Sequence, residues 1–379
     1  MSEGERVAAV ARLLGERELD ALLVSGPANV RYLSNYTGSN GLALIASTES
    51  ARPHLFLTDF RYATQAEQQV PGCLEREIST GDLLESVCLQ LRGWEGGDAQ
   101  DGGQRRAARR LGFDDAHLTV AQHRRLGDLL EGASWELEPC GGLVESLREI
   151  KDPEELRRIG AAAQLADEAL RAVLERGLAG RSEREVAIAL ELQMRRLGAE
   201  GPSFPAIVAA GAHGALPHAE PRDAQIPVGV LVTIDWGATL DGYCSDCTRT
   251  FAVGHADGLA REVYELVLAA QRTGLDALRA GRSGREVDAD ARAVIERAGY
   301  GEQFGHGLGH GVGIEVHEAP RLSRTAPEEQ LVRAGTVVTV EPGVYLPGRV
   351  GVRIEDLVSV TAEGCRVLNG LSKELTVLD

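Results

Sequence analysis

The sequence predicts two domains, an α/β layer domain followed by an α+β domain made of two related halves. Three observations support this prediction: the length of the chain, an alternation of short apolar runs with helical patterns in its first third, and an internal repeat in the rest. With 379 residues, 43% of them hydrophobic, the chain can bury two cores. We place the domains at residues 1–145 and 150–379.

The first domain is indicated by apolar runs of strand length separated by helical patterns. The runs read LDALLVSG, LALIAS and HLFLTD, and RLGFDDAHLTV follows later. This alternation is typical of helices packed on a sheet. The Gly- and Asp-rich stretch between Gly93 and Gly103 predicts a surface loop.

The second domain begins with a marked helix start and contains a repeat. Asp152 can cap the helix, Pro153 suits its first turn and Glu155 completes a capping-box spacing, so we predict a helix over 152–178. Two later segments, GRSEREVAIALELQMRRLG and GRSGREVDADARAVIERAG, share their glycines, a Ser-x-x-Glu capping box and the next valine at a constant offset of 101 residues. They predict two related halves with a site between them. Chance similarity is the alternative, because capping boxes are common.

Composition excludes several classes of function. The chain has 40 basic and 57 acidic residues, a net charge of −17, which repels nucleic acid and anionic membrane surfaces. Charges interrupt the apolar residues at the start, and no apolar run is long enough to span a bilayer, so we expect a cytoplasmic protein. Six cysteines are too few for a disulfide framework. The Cys244 and Cys247 pair lacks a second pair, so we interpret both as buried strand residues rather than a zinc or redox site.

Two predicted hairpins each bring two carboxylates together. In GVLVTIDWGATLDGYCSDCTRTF, a turn between Leu240 and Asp241 places Asp235 directly opposite Asp246. In TVVTVEPGVYLPGRVGVRIEDLVSV, a turn centred on Gly348 places Glu341 opposite Glu355. Unpaired charges at the ends of apolar strands are costly, and a bound cation would remove that cost. A register slip of one residue would turn one carboxylate to the other face.

The stretch GHGLGHGVGIEVHEAP supplies the histidines. On a strand, His306 and His310 share one face, while the glycines on the other face let a second backbone approach closely. One histidine beside two Asp and two Glu side chains suits two divalent ions bridged by carboxylates, with manganese or cobalt favoured and zinc or iron possible.

Each of these residues also has a structural interpretation. Asp235 can be a turn residue, His310 can be a core histidine, Asp246 can pair with Arg249, and Glu355 can pair with Arg353. The metal interpretation is favoured because the residues occur together.

Four segments resemble a known family. DWGATLDGYCSDCTRTF, GHGLGHGVGIEVHEAP, VEPGVY and GVRIED are similar to the signatures of the M24 metallopeptidases, which have the creatinase, or pita-bread, fold. NVRYLSNYTGSNGLALI is similar to the N-terminal domain of bacterial Xaa-Pro peptidases. The resemblance implies a creatinase-like α/β N-terminal domain and an α+β pita-bread catalytic domain with an internal pseudo-twofold duplication.

The resemblance also implies roles for individual residues. It places metal ligands at Asp235, Asp246, His310, Glu341 and Glu355. It assigns Glu341, His218 and His317 to catalysis, and His306 and Arg353 to substrate binding in the proline-directed branch. All five ligands are kept, unlike in creatinase, which works without metal, and the large N-terminal domain is unlike methionine aminopeptidases.

We therefore expect an Xaa-Pro aminopeptidase, a hydrolase with two divalent ions that cleaves between an N-terminal residue and a following proline. The YTGSNG stretch favours this interpretation because it resembles small bacterial Xaa-Pro aminopeptidases. An Xaa-Pro dipeptidase, or prolidase, is the alternative, with Arg31, Tyr36 or Arg61 as possible residues that close the site. A non-catalytic binding protein with this fold is the remote alternative. The family implies a homodimer.

Overall fold

The computed structural model describes residues 1–97 and 108–378. The chain divides into two compact units, Met1–Arg148 and Glu149–Asp379. The surface loop predicted between Gly93 and Gly103 is wrong at its start, because residues 93–97 are the end of a helix that begins at Leu83. The remainder of that predicted loop lies outside the described residues. Over the described part of the chain, no helix is both long and apolar enough to cross a membrane.

The first unit is a sheet covered by helices, as the apolar runs predict. Its helices are α1 Glu3–Glu16, α2 Pro27–Ser34, α3 Ala63–Gln69, α4 Leu83–Gly97, α5 Val120–Leu129 and α6 Leu143–Arg148. Its strands are β1 Ala21–Val24, β2 Gly41–Ala46, β3 Leu55–Asp59, β4 Glu75–Ser79, β5 Arg109–Phe113 and β6 Trp135–Pro139. The strand order is β4-β3-β2-β1-β5-β6. Every residue of the central strand β1 is buried, which explains its continuous apolar run.

The second unit contains four long helices and several small sheets within its described residues. The helices are α7 Pro153–Leu174, α8 Glu183–Arg196, α9 Gly258–Ala277 and α10 Gly284–Arg297. The strands are β7 Gly201–Pro202, β8 Ile207–Ala210, β9 Leu231–Trp236, β10 Ala238–Leu240, β11 Tyr243–Cys244, β12 Cys247–Val253, β13 Gly309–Gly311, β14 Glu318–Leu322, β15 Val337–Val340, β16 Gly343–Leu346, β17 Val350–Arg353, β18 Asp356–Val360, β19 Cys365–Val367 and β20 Val377–Leu378. The two larger sheets have the orders β20-β12-β9-β8 and β14-β13-β15-β18-β19.

The helix starts confirm the predicted repeat. Both α8 and α10 begin with a complete capping box, formed by Ser182 with Glu185 and by Ser283 with Glu286. A preceding helix packs beside each one, α7 beside α8 and α9 beside α10. Asp152 and Glu155 also form the predicted capping box of α7, although that helix ends at Leu174 rather than at residue 178. The unit is therefore built from two related α+β halves.

Candidate metal centre and substrate cavity

The first predicted carboxylate pair lies on a diagonal of its hairpin. The residue directly opposite Asp235 is Thr248, and Asp246 lies two positions earlier, between β11 and β12. The turn is centred on Asp241 and Gly242, which both have positive φ, and this moves the register by two residues from the prediction. Because side chains alternate with a period of two, a two-residue shift keeps both carboxylates on one face.

The second predicted carboxylate pair is directly opposed, as its turn chemistry indicated. Gly348 has a φ of 73° in the turn. The pairs on either side, Gly343 with Arg353 and Val340 with Asp356, belong to one register. Glu341 and Glu355 therefore occupy opposite positions, at the point where both strands pass from the two-stranded sheet into the five-stranded one.

The glycine- and histidine-rich stretch is less regular than predicted. Residues 309–311 form the strand β13 and residues 318–320 begin β14, so His306 lies outside both strands and the predicted continuous strand is wrong. The close backbone approach is confirmed in β13, where a Cβ on Gly309 or Gly311 would overlap a carbonyl oxygen of a neighbouring strand. Gly305, in contrast, has no atom within 4 Å of such a Cβ.

Three of the other predicted ligands lie close to His310. Its Nε2 lies 3.4 Å from Glu341 Oε1 and 3.6 Å from Asp246 Oδ2. One ligand atom from each of Asp246, His310 and Glu355 lies within 4.8 Å of the others, and all three residues are buried. The His310 Nδ1 is 3.1 Å from the Gly311 carbonyl oxygen, which leaves Nε2 to face the carboxylates.

The electrostatics of this cluster fit a divalent cation. Burial, followed by the charges of the neighbouring carboxylates, raises the pKa of Asp246 and of Glu355 well above their usual range. Burial also raises the pKa of Glu341 to about 7 and lowers that of His310 to about 3. Asp235 Oδ1 is buried without a hydrogen-bond partner among the described residues. An oxygen-rich set with one imidazole and an unsatisfied carboxylate oxygen is what a divalent metal requires.

Three of the structural interpretations of these residues are not realised. Arg249 pairs with Asp356 at 2.7 Å rather than with Asp246. Arg353 pairs with Asp235 at 2.6 Å rather than with Glu355. Asp235 itself lies within β9 and is not a turn residue. The cysteines at 244 and 247 are buried free thiols, and their sulfurs contact different carbonyl groups.

The nine residues predicted for the site line one cavity of about 510 Å³. The apolar part of the cavity lining includes Phe204, Pro205, Ile207, Pro217 and Ala219. Charged side chains that the sequence analysis missed are Glu220 and Arg321, both exposed to the cavity. The cavity thus combines the carboxylate cluster with apolar surface and a separate positive group.

The cavity histidines have different environments. His306 Nε2 lies 2.9 Å from the Tyr345 hydroxyl, and its Nδ1 lies 2.8 Å from the Gly307 carbonyl oxygen. Burial lowers the pKa of His306 to about 4. The His317 ring meets the His310 ring edge to face, with centroids 4.4 Å apart. His218 follows Pro217, and both residues line the same cavity.

Arg353 is held by four hydrogen bonds. Its Nη2 donates to Asp235 at 2.6 Å, Nε donates to Thr248 at 3.0 Å, and Nη1 donates to the Tyr345 hydroxyl and the Pro217 carbonyl oxygen at 2.9 and 3.1 Å. At most one N–H remains for a substrate. Tyr345 and Thr248 are uncharged, and nothing in their sequence pattern marks them as site residues.

Comparisons with known proteins agree with this architecture. Residues 6–150 match the Creatinase/Prolidase N-terminal domain, and residues 157–362 match Metallopeptidase family M24. A solved Xaa-Pro dipeptidase from Bacillus anthracis is 40% identical, with a TM-score of 0.90 and complete coverage of both chains. An Xaa-Pro dipeptidase from Pyrococcus furiosus is 34% identical over 98% of this chain and 99% of its own. A solved X-Pro aminopeptidase from Thermotoga maritima is 33% identical, with a TM-score of 0.84 over 96% of this chain and 99% of its own.

These similarities extend over both units and include the segments that carry the carboxylate cluster. They show a creatinase-type N-terminal domain followed by a pita-bread catalytic domain. The chain therefore belongs to metallopeptidase family M24.

Proposed function

We propose that this metallopeptidase is an Xaa-Pro dipeptidase, or prolidase, that uses two divalent metal ions. The observation that carries the proposal is the carboxylate and histidine cluster that lines a cavity together with the guanidinium of Arg321. Relatives named Xaa-Pro dipeptidase are similar over nearly the whole chain. These relatives favour the dipeptidase over the aminopeptidase that the sequence led us to expect.

Asp235, Asp246, His310, Glu341 and Glu355 would hold the metal ions. Manganese or cobalt suits this oxygen-rich set, and zinc or iron is the alternative. When bound, such ions supply a water of lowered pKa and polarise the scissile carbonyl group.

Glu341 is the proposed general base. It accepts the proton of the attacking water and returns it to the leaving imino nitrogen of proline. His218 and His317 donate hydrogen bonds to the oxygen that develops charge. Asp235 Oδ2 accepts a hydrogen bond from Arg353, and Oδ1 is buried without a hydrogen-bond partner among the described residues, so Oδ1 is the oxygen that would bind a metal ion.

Arg321 supports the dipeptidase over the aminopeptidase. It lines the cavity from β14 opposite His310 in the strand register. Among the described residues, no hydrogen bond or ion pair engages its guanidinium. A dipeptide places its carboxylate directly after the proline ring, where a longer peptide has a neutral amide. A free guanidinium beside the ligand cluster can therefore favour the dipeptide.

An Xaa-Pro aminopeptidase is the second candidate, because a solved enzyme with that name is similar over 96% of this chain. A peptide-length series separates the two. Gly-Pro and Gly-Pro-Gly are assayed with added manganese or cobalt, and free glycine is measured. Preferential hydrolysis of Gly-Pro is the expected result, whereas faster release of glycine from the tripeptide would reject the dipeptidase in favour of the aminopeptidase.

We also propose that the enzyme is a cytoplasmic homodimer. The free cysteines support the cytoplasmic location, and the family resemblance supports the homodimer. Light scattering of the purified protein tests the oligomeric state.

A further inference from the structure

The segment from Phe304 to Glu318 contributes three histidines to the cavity, but little of it is regular structure. Before β14 begins at Glu318, only residues 309–311 pair as a strand. His310 is within that strand, whereas His306 and His317 lie outside it. A side chain on an irregular segment is fixed only if other contacts hold its backbone.

A buried ion pair on α10 holds the first end of this segment. Asp288 and Arg292 form two bonds of 2.7 Å, with side chains 0% and 5% exposed. Arg292 Nη1 donates to the Phe304 carbonyl oxygen at 2.7 Å, and its Nη2 donates to that of His306 at 2.6 Å. Asp288 Oδ1 accepts from the Leu308 amide at 3.0 Å. The ion pair therefore holds the backbone on both sides of His306 through hydrogen bonds.

A second buried ion pair holds the other end. Lys151 Nζ lies 3.0 Å from Glu318 Oε2, with side chains 1% and 6% exposed. Glu318 Oε1 accepts from the Glu315 amide at 3.1 Å, which closes the turn that carries His317. A Cβ on Gly313 would meet the same carboxylate, so the turn packs tightly around it.

We propose that these two ion pairs are positioning pairs, with Asp288–Arg292 fixing His306 and Lys151–Glu318 fixing His317. None of the four residues is among those that line the cavity, so they act through the backbone. Burying two charges costs desolvation energy that apolar side chains avoid, but here the charged atoms satisfy carbonyl and amide groups beside each histidine. This inference rests on the proposed function, in which His317 contacts the substrate, and on the substrate-binding role that the family resemblance implies for His306.

Double-mutant cycles test the assignment. The kcat and KM for Gly-Pro are measured for R292K, E318Q, H306A and H317A, and for the four pairwise combinations of one ion-pair variant with one histidine variant. Lysine at 292 keeps the charge but cannot make the planar set of contacts, and glutamine at 318 keeps the shape but removes the charge. Each histidine variant and each ion-pair variant is expected to lose about ten- to a hundredfold in kcat/KM.

The proposal predicts a selective coupling. Adding R292K to H306A should lower kcat/KM no further, whereas adding R292K to H317A should lower it by the same factor as in the wild-type protein. Adding E318Q should lower kcat/KM further in H306A and not in H317A. Additive losses in all four combinations would mean a general structural role and would overturn the proposal. If H306A or H317A itself retains full activity, the proposed substrate contact of that histidine is wrong, which is a separate result.

Folding and metal content are checked in the same proteins. D288N replaces R292K as the test if the lysine variant does not fold, and K151M likewise replaces E318Q. D290A is the matched control, because Asp290 also lies on α10 and pairs with an arginine but is exposed. It should leave kcat/KM unchanged. The metal-to-protein ratio should stay at the wild-type value, and a lost metal ion in R292K or E318Q would contradict a role confined to His306 and His317.

Discussion

Arg353 Nη2 lies 2.6 Å from one carboxylate oxygen of Asp235, while the other oxygen of that carboxylate is buried without a hydrogen-bond partner among the described residues. The arginine therefore pairs with only one of the two carboxylate oxygens of Asp235. Asp235 lines the cavity together with Asp246, Glu341 and Glu355. Two cationic side chains, Arg353 and Arg321, line the cavity with the four carboxylates, which leaves an excess of negative charge that divalent metal ions can balance.

Replacing Arg353 with lysine should lower kcat/KM for Gly-Pro by about 10- to 100-fold, because a hydrogen bond to a charged group contributes about 1.5–3 kcal/mol. Lysine cannot contact Asp235, Thr248 and Tyr345 together. Steady-state kinetics checks the effect. R349K is the control, since Arg349 is exposed in the turn of the same hairpin. A wild-type kcat/KM in folded R353K would show that the four hydrogen bonds do not support catalysis.

Replacing Glu341 with glutamine should remove turnover of Gly-Pro, because glutamine cannot accept the proton of the attacking water. Loss of a general base lowers the rate by about 10²- to 10⁴-fold. Release of free proline is measured together with the metal content and the circular dichroism spectrum. Normal activity in a folded, metal-loaded E341Q protein would refute the assignment of Glu341.

Removing metal should destabilise the protein, because the buried carboxylates then repel one another and Arg353 pairs with Asp235 alone among them. A ligand present at about 100 times its Kd stabilises the folded state by about 2.7 kcal/mol. For a domain of this size, that corresponds to a fall in Tm of about 5–10 °C. Differential scanning calorimetry with manganese and with chelator measures the change. An identical Tm in both conditions would argue against a metal centre at these residues.

Replacing Arg321 with glutamine should raise KM for Gly-Pro by about tenfold or more, through loss of a charge-assisted hydrogen bond to the substrate carboxylate. Gly-Pro-amide, which lacks that charge, should be affected less than about twofold by the same reasoning. R324Q is the matched control, because Arg324 is nearby in sequence but pairs with Glu296 outside the cavity. Equal effects on both substrates would show that Arg321 does not recognise the carboxylate.

Replacing Gly309 with alanine should destabilise the protein by about 1–3 kcal/mol, because the added Cβ would overlap the Thr339 carbonyl oxygen in the paired strand region. Gly305→Ala is the control. It adds the same methyl group where no atom lies within 4 Å, so its effect should be under about 0.5 kcal/mol. Urea unfolding measures both. Equal stability of the two variants would contradict close packing as the reason for the glycine at 309.

Several features were predictable because they depend on local patterns. The capping boxes at Asp152, Ser182 and Ser283 mark helix starts through contacts within one turn. The turn at Gly348 fixes which residues of its hairpin are opposed, so the Glu341 and Glu355 pair followed from turn chemistry and strand alternation. The Asp241 and Gly242 turn was misplaced, and the diagonal relation of Asp235 and Asp246 depends on that local φ preference.

The sequence by itself determined the family, the repeat and nine of the residues that line the cavity, because family motifs, side-chain periodicity and turn residues are short-range properties. Only the tertiary structure decided which charges pair. Arg249 pairs with Asp356 and Arg353 pairs with Asp235, and in each pair the two residues are more than a hundred positions apart in the sequence. Tyr345 likewise enters the site through its contacts with His306 and Arg353. These side chains pair because they are close together in the folded chain, and their separation along the sequence does not indicate that proximity.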